Sequence, residues 1–211
     1  SLKIMNNLHM LKLKQDLYAV KLRLKKPLIR TNEAIIKEYE SYWEKARMYE
    51  NIIINRDPDE PVEFLDHGTY HKTTFIDYTK RTLNEFLRFI KNSCNFDEPI
   101  VEIGCGVGTK LFFLEDHGFI NLEGYELTSN GVKMAREFAK IKNSKIKFQK
   151  CDIIKDNIDI KNKTVITFLS LEQLKLNLEF MVDKIITNKP KQVLSFESIF
   201  KLISDSERME K

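Results

Sequence analysis

The sequence predicts an α/β protein built on a doubly wound, mostly parallel sheet, with a helical extension at its N-terminus. Three observations predict it. From Phe75 onward short apolar runs alternate with helical stretches, the rhythm of a parallel sheet whose crossovers are helices. Three glycines in five residues (Gly104, Gly106, Gly108) follow the first of those runs, where the chain of such a sheet turns toward a ligand crevice. Apolar residues form 42% of the 211-residue chain and charged residues 31%, a balance that supports a folded core and excludes a disordered chain. The length suits one domain with a modest extension. Residues 1–74 are read as a helical N-terminal extension with a lid loop, and residues 75–211 as the α/β domain.

Taken in order, Leu2 to Lys26 has helical spacing (Leu2, Met5, Leu8, then Leu17, Val20, Leu24) and meets Pro27, which ends a helix. A second helix is expected from Asn32, as N-cap, to about Asn51. It carries Tyr39, Tyr42, Trp43 and Tyr49, aromatics that such spacing more often places in a core or interface than around a substrate. Residues 55–74 are rich in turn formers and lack a period, so a loop is expected there. The next helix carries Leu83, Phe86, Leu87 and Ile90 on one face and ends near Asn92. Strands are then expected at 99–103, 121–125, 145–149, 164–169 and 192–196, with helices at 110–117, 130–140 and 171–186 between them and a last helical stretch at 198–211.

Charge is uneven. Residues 1–30 hold eight Lys or Arg and one Asp, a net of +7, so the formal +4 of the whole leaves −3 on residues 31–211. A general nucleic-acid binder carries its basic patch on the folded domain, so no nucleic-acid partner is expected. The basic first helix suits an acidic membrane surface or a partner; the preferred reading is a helix covering the body of the protein or a homodimer mate. No run approaches the roughly 18 residues a bilayer span requires, and basic residues interrupt the apolar runs of a would-be signal peptide. The expectation is a soluble, cytoplasmic chain. Three cysteines without CxxC spacing give neither a disulfide framework nor a zinc site. His67 and His71, two ligands without nearby thiolates, rarely suffice for a metal, so none is expected.

The turn itself reads Val101-Glu-Ile-Gly-Cys-Gly-Val-Gly-Thr109. Its glycines free the backbone to bend sharply and remove the Cβ atoms that would hold a ligand away. A dinucleotide fingerprint requires glycine at 109, which is threonine, and a P-loop requires a GKS or GKT ending, which Gly108-Thr-Lys110 lacks. What remains is an acidic residue followed by alternating glycines: Glu102, Gly104, Gly106, Gly108.

Glu102 to Gly108 resembles motif I of the class I S-adenosylmethionine-dependent methyltransferases. The resemblance continues through Gly124-Tyr-Glu126-Leu127, Lys150-Cys-Asp152-Ile153 and the run from Thr164 to Gln173, covering roughly residues 75 to 200. It implies a Rossmann-like methyltransferase sheet and S-adenosylmethionine as cofactor. Glu126, at the end of the second strand, would accept the ribose hydroxyls as charge-assisted hydrogen bonds, with Leu127 against the adenine. Asp152 would accept from the adenine amino group, with Ile153 beside it. Glu102 would favour the cationic end of the ligand. Cys105 within the turn and Leu169 after the fourth strand complete the implied cofactor set.

Two departures from the family matter. Several small-molecule methyltransferases of this type carry a histidine soon after the fourth strand where this chain has Gln173, which cannot act as a base, so the catalytic residue is unknown. Glu172 is a candidate at that place, although a first-turn glutamate complementing a helix dipole is the preferred reading. Asp66, His67, Tyr70 and His71 are lid candidates that would contact the acceptor. The family's sheet has seven strands and five are read here: the chain is cut short, a segment is missing, or the N-terminal region supplies the difference. The expected activity is methyl transfer to oxygen or nitrogen of a small-molecule acceptor; the alternative is a non-catalytic S-adenosylmethionine-binding module beside an active subunit.

Overall fold

The computed structural model describes residues 31–66, 69–171, 173 and 178–196. The expected basic first helix and the last helical stretch lie outside these residues. A five-stranded parallel sheet forms the centre: β5 (Ile100–Ile103), β6 (Leu122–Glu126), β7 (Lys147–Lys150), β8 (Thr164–Phe168) and β9 (Gln192–Phe196), in the spatial order β7-β6-β5-β8-β9. The first strand in sequence is thus central, and the chain winds outward first to one side and then to the other. This is the doubly wound, Rossmann-like arrangement, with its switch point beside β5.

Four helices intersperse these strands: α2 (Phe75–Ser93), α3 (Thr109–Asp116), α4 (Ser129–Ile141) and α5 (Leu178–Thr187). The central strands β5 and β8 are buried on both faces, which is why they read as near-continuous apolar runs, while the edge strands β7 and β9 are partly exposed. Ile100 packs with Ile90 of α2, Leu111, Phe112 and Leu114 of α3, and Val132, Ala135 and Phe138 of α4. Val101 and Ile103, on the other face, pack with Met181 and Ile185 of α5 and with Ile153, Ile158 and Ile160. The α2 stripe expected from the sequence is observed: Ile76, Leu83, Phe86, Leu87 and Ile90 are buried, and the Thr74 hydroxyl caps the helix by accepting from the Asp77 N–H.

The N-terminal region departs from expectation in three ways. Helix α1 runs from Asn32 to Trp43, and its N-cap is Thr31, whose hydroxyl accepts the Ala34 N–H. After it, β1 (Arg47–Tyr49) and β2 (Ile52–Ile54) form a hairpin. Glu50 and Asn51 between them both have positive φ (46° and 64°), the conformation of a two-residue turn that matches strand twist. The lid loop is a second hairpin, β3 (Pro61–Asp66) with β4 (Thr69–Thr74). It escapes a periodicity reading because none of its described side chains is fully buried, so little apolar alternation is required of it. Both hairpins are separate two-stranded sheets. Among the described residues the N-terminal region therefore does not replace missing strands of the main sheet.

Candidate functional site

At the carboxyl ends of the parallel strands lies a cavity of about 460 Å³, within the range of small-molecule sites. One wall comes from the loops after β5, β6, β7 and β8; the opposite wall comes from α1, the end of β2 and α2.

The first wall begins at the glycine turn. Gly104, Gly106 and Gly108 have φ of +73°, +55° and +82°, values costly for any residue with a Cβ. The Gly104 and Cys105 N–H groups both donate to the Tyr125 carbonyl of the neighbouring strand, which ties the turn to β6. A Cβ on Gly104 would meet Ser170, one on Gly106 the indole of Trp43, and one on Gly108 the ring of Phe148. Protein side chains thus fill the space that these glycines leave. Gly104 and Cys105 line the cavity, whereas Gly106 and Gly108 lie behind their neighbours.

Glu126 ends β6 almost fully buried. One carboxylate oxygen accepts the Gly106 N–H at 2.9 Å, and the other accepts both the Thr128 N–H (2.9 Å) and the Thr128 hydroxyl (2.6 Å). Burial raises its pKa, against the opposing effect of these hydrogen bonds. Glu126 and Leu127 both face the cavity, as do Asp152, Ile153 and Leu169. One Asp152 oxygen accepts the Ile154 N–H, and the other lies 3.6 Å from the Lys155 ammonium. Leu169 adopts a left-handed φ of 50°, a conformation that a leucine holds only where its surroundings impose it. Beside it the Ser170 hydroxyl donates to the Ile103 carbonyl at 2.9 Å, across the switch point.

Some residues named from the sequence stand away from the cavity lining. Glu102 does not line the cavity: it is buried under the turn, 3.3 Å from the Lys110 ammonium, in a geometry that leaves its oxygens without a hydrogen bond. Burial raises its pKa, partly offset by Lys110. Lys110 itself faces the cavity and stands over the Phe168 ring at 4.4 Å. The lid candidates do not reach the cavity either. Tyr70 is half exposed on β4, and His71 is stacked on Phe64 across the hairpin at 5.2 Å. Glu172 and His67 lie outside the described residues, and of Asp66 only the backbone is described. Gln173 does line the cavity. Cys105 is held well above its ordinary pKa by burial, and Cys151 is raised to about 11 by the same cause.

Helix α1, one of the N-terminal helices that the sequence expectation joins with the 55–74 loop as the acceptor side, supplies part of the second wall, and its aromatics are ones that spacing alone assigns to a core or interface. Tyr39, Tyr42 and Trp43 of α1, Asn55 after β2, and Phe75, Tyr78 and Phe86 of α2 all line the cavity. Helix α1 is fastened over the crevice by Glu40, whose carboxylate accepts the Ser129 and Asn130 N–H groups at the start of α4 (2.7 and 2.6 Å). The signal was present as Tyr39, Tyr42 and Trp43 at helical spacing, but that pattern serves a core equally well.

Fold and crevice together define a Rossmann-like domain with a cavity at its switch point. No protein-family model matches the chain, and no curated protein matches it. Solved structures do. The PH0226 protein from Pyrococcus horikoshii OT3 is 28% identical over 54% of this chain and 54% of its own, with a TM-score of 0.44. Magnesium protoporphyrin IX methyltransferase from Synechocystis PCC 6803, solved with bound SAM, is 17% identical over 53% of this chain and 54% of its own, with a TM-score of 0.45. The methyltransferase domain of a bacterial Hen1 is 16% identical over 56% and 65%, with a TM-score of 0.48. The chain spans about half the length of the first two.

Proposed function

We propose that the chain binds S-adenosylmethionine in the strand-end crevice and transfers its methyl group to a small-molecule acceptor. The observation that carries this reading is the convergence on one cavity of Glu126, Asp152 and the left-handed turn after β5, three features the motif resemblance assigns to a single ligand. The residues fit such a ligand. The Glu126 carboxylate offers about four acceptor sites and spends three within the chain, leaving it open to a further donor. Leu127, Ile153 and Leu169 give apolar surface on either side.

When bound, the cofactor supplies a methyl group on a cationic sulfur; an acceptor lone pair forms the new bond and the sulfur keeps the electrons of the old one. The chain's own part is alignment and exclusion of water. No histidine faces the cavity among the described residues, and burial keeps the thiols of Cys105 and Cys151 protonated at neutral pH.

Gln173 at the cavity wall favours a second reading, in which the chain holds the cofactor without turnover. Calorimetric titration with S-adenosylmethionine, S-adenosylhomocysteine and NAD tests both. Micromolar binding of the two sulfur ligands and none of NAD supports the cofactor assignment, and methylation of any acceptor then removes the second reading. Absence of sulfur-ligand binding overturns both.

A further inference from the structure

The two walls of the cavity differ in charge. The sheet-end wall contributes Lys110, Glu126 and Asp152, whereas no residue contributed by α1, β2, Asn55 or α2 is charged. That is not a property of the elements themselves. Helix α2 carries Asp77, Lys80, Arg81 and Glu85, and α1 carries Glu40, which is turned onto α4. Charges are kept off one side only.

The neutral wall is aromatic, with Tyr42, Trp43, Phe75, Tyr78 and Phe86 among its residues. Such rings offer flat apolar area that favours another ring in offset or edge contact. The hydroxyls of Thr79 and Thr82, also on this wall, donate to the Phe75 and Tyr78 carbonyls one turn back in α2, so their donors are spent. Two buried donors on residues of this wall, Trp43 Nε1 and Asn55 Nδ2, have no hydrogen-bond partner among the described residues. A buried donor left unpaired is costly, and a ligand oxygen that meets it removes the cost.

We propose, on the reading of the opposite wall as the cofactor crevice, that this neutral wall is the acceptor pocket and takes an uncharged, ring-bearing molecule with a hydrogen-bond-accepting oxygen. An anion would leave water without a counter-charge, since the cavity's ammonium, Lys110, is already paired with Glu102. A cation would suit the rings but would face two N–H donors. A neutral phenol, enol or ring ketone meets both conditions.

The test uses three ring probes of one shape: naphthalen-2-ol, naphthalene-2-sulfonate and 2-(aminomethyl)naphthalene, the last two charged at neutral pH. Each is titrated into the full chain by calorimetry, with and without saturating S-adenosylhomocysteine. The neutral probe is expected to bind about tenfold or more tightly than either ion, the discrimination that unpaired buried groups and lost solvation support. Asn55→Asp, which replaces a donor by a repelling carboxylate, should weaken naphthalen-2-ol about tenfold while S-adenosylhomocysteine stays within about twofold. Equal binding of an ion, or an unchanged neutral probe in Asn55→Asp, overturns the proposal. Should that variant not fold, the probe series on the unmodified chain decides alone. If S-adenosylhomocysteine fails to bind, the cofactor reading falls, and the neutral preference measured without it still decides for or against this pocket.

Discussion

Where the parallel sheet forms the cavity wall, charge is fixed in place by backbone. Glu126 is held by the N–H groups of Gly106 and Thr128, and Lys110 stands between buried Glu102 and the Phe168 ring. Where α1, β2 and α2 form the wall, no lining residue is charged, and two buried donors, Trp43 Nε1 and Asn55 Nδ2, have no partner among the described residues. The first wall is built of short turns after buried strands, so its chemistry is locked to the fold. The second is built of side chains on α1, β2 and α2, outside the sheet's own turns. On the proposed reading, the first wall holds the cofactor and the second selects the acceptor.

The largest expected effect probes how far the sheet wall depends on its buried charges. Glu102→Leu leaves Lys110 facing apolar surroundings and should destabilise the fold by about 3–5 kcal/mol, whereas adding Lys110→Met should return stability to near that of the unmodified chain. Thermal or urea denaturation of the single and double variants measures this; a double variant as weak as the single one would show that the pair holds the turn. Burial raises the Glu102 pKa above its ordinary 4.5, so the folded state binds more protons than the unfolded one above that pH. Its contribution is then fully present below about 4.5 and declines as pH rises through the raised value. Glu102→Gln should flatten that decline in melts taken from pH 4.5 upward.

Next comes the junction of the two walls. Gly106→Val combines a left-handed φ with a Cβ 2.5 Å from the Trp43 ring, for a cost of roughly 2–4 kcal/mol. In a Trp43→Ala background the steric part should vanish and the backbone part remain. A full cost in both backgrounds would show that α1 yields freely and that the walls are not coupled here.

A smaller effect is expected within the sheet wall. Glu126→Gln keeps the shape and loses the charge, and should weaken S-adenosylhomocysteine about tenfold, read by calorimetry with a thermal melt as control. Glu126→Ala would strand the buried Gly106 N–H and confuse affinity with stability. An unchanged dissociation constant in Glu126→Gln would remove Glu126 from the ligand site.

The contrast between the walls also explains what was legible in the sequence. The central strands were readable because both their faces are buried, and α2 and α4 because each has one apolar stripe. Glu126, Leu127, Asp152 and Ile153 were readable because they sit at fixed distances from strand ends. The aromatic lining of the neutral wall was not, because a helix bearing Tyr39, Tyr42 and Trp43 looks the same whether it faces a core or a cavity. Ile52-Ile53-Ile54 is a buried strand too short for a period to show. The exposed β3–β4 hairpin hid for the opposite reason, since little apolar alternation marks it. Motif spacing fixes the strand position of Glu102 but does not reveal the Lys110 ammonium 3.3 Å from it.

The smallest expected effect concerns how α1 is held over the crevice. Glu40 accepts two N–H groups at the start of α4, where the helix dipole favours an anion. Glu40→Gln keeps one acceptor oxygen and loses the charge, so the fold should lose only about 0.5–1 kcal/mol. The kinetic effect should be clearer than the thermodynamic one. Trp43, the single tryptophan of the chain, touches the Gly106 turn, so its fluorescence reports ligand entering or leaving the crevice. If α1 closes over bound ligand, stopped-flow displacement of S-adenosylhomocysteine should be faster in Glu40→Gln while the association rate changes little. Equal dissociation rates would mean that α1 stays in place as ligand passes, and the neutral wall would then be as fixed as the wall of the sheet.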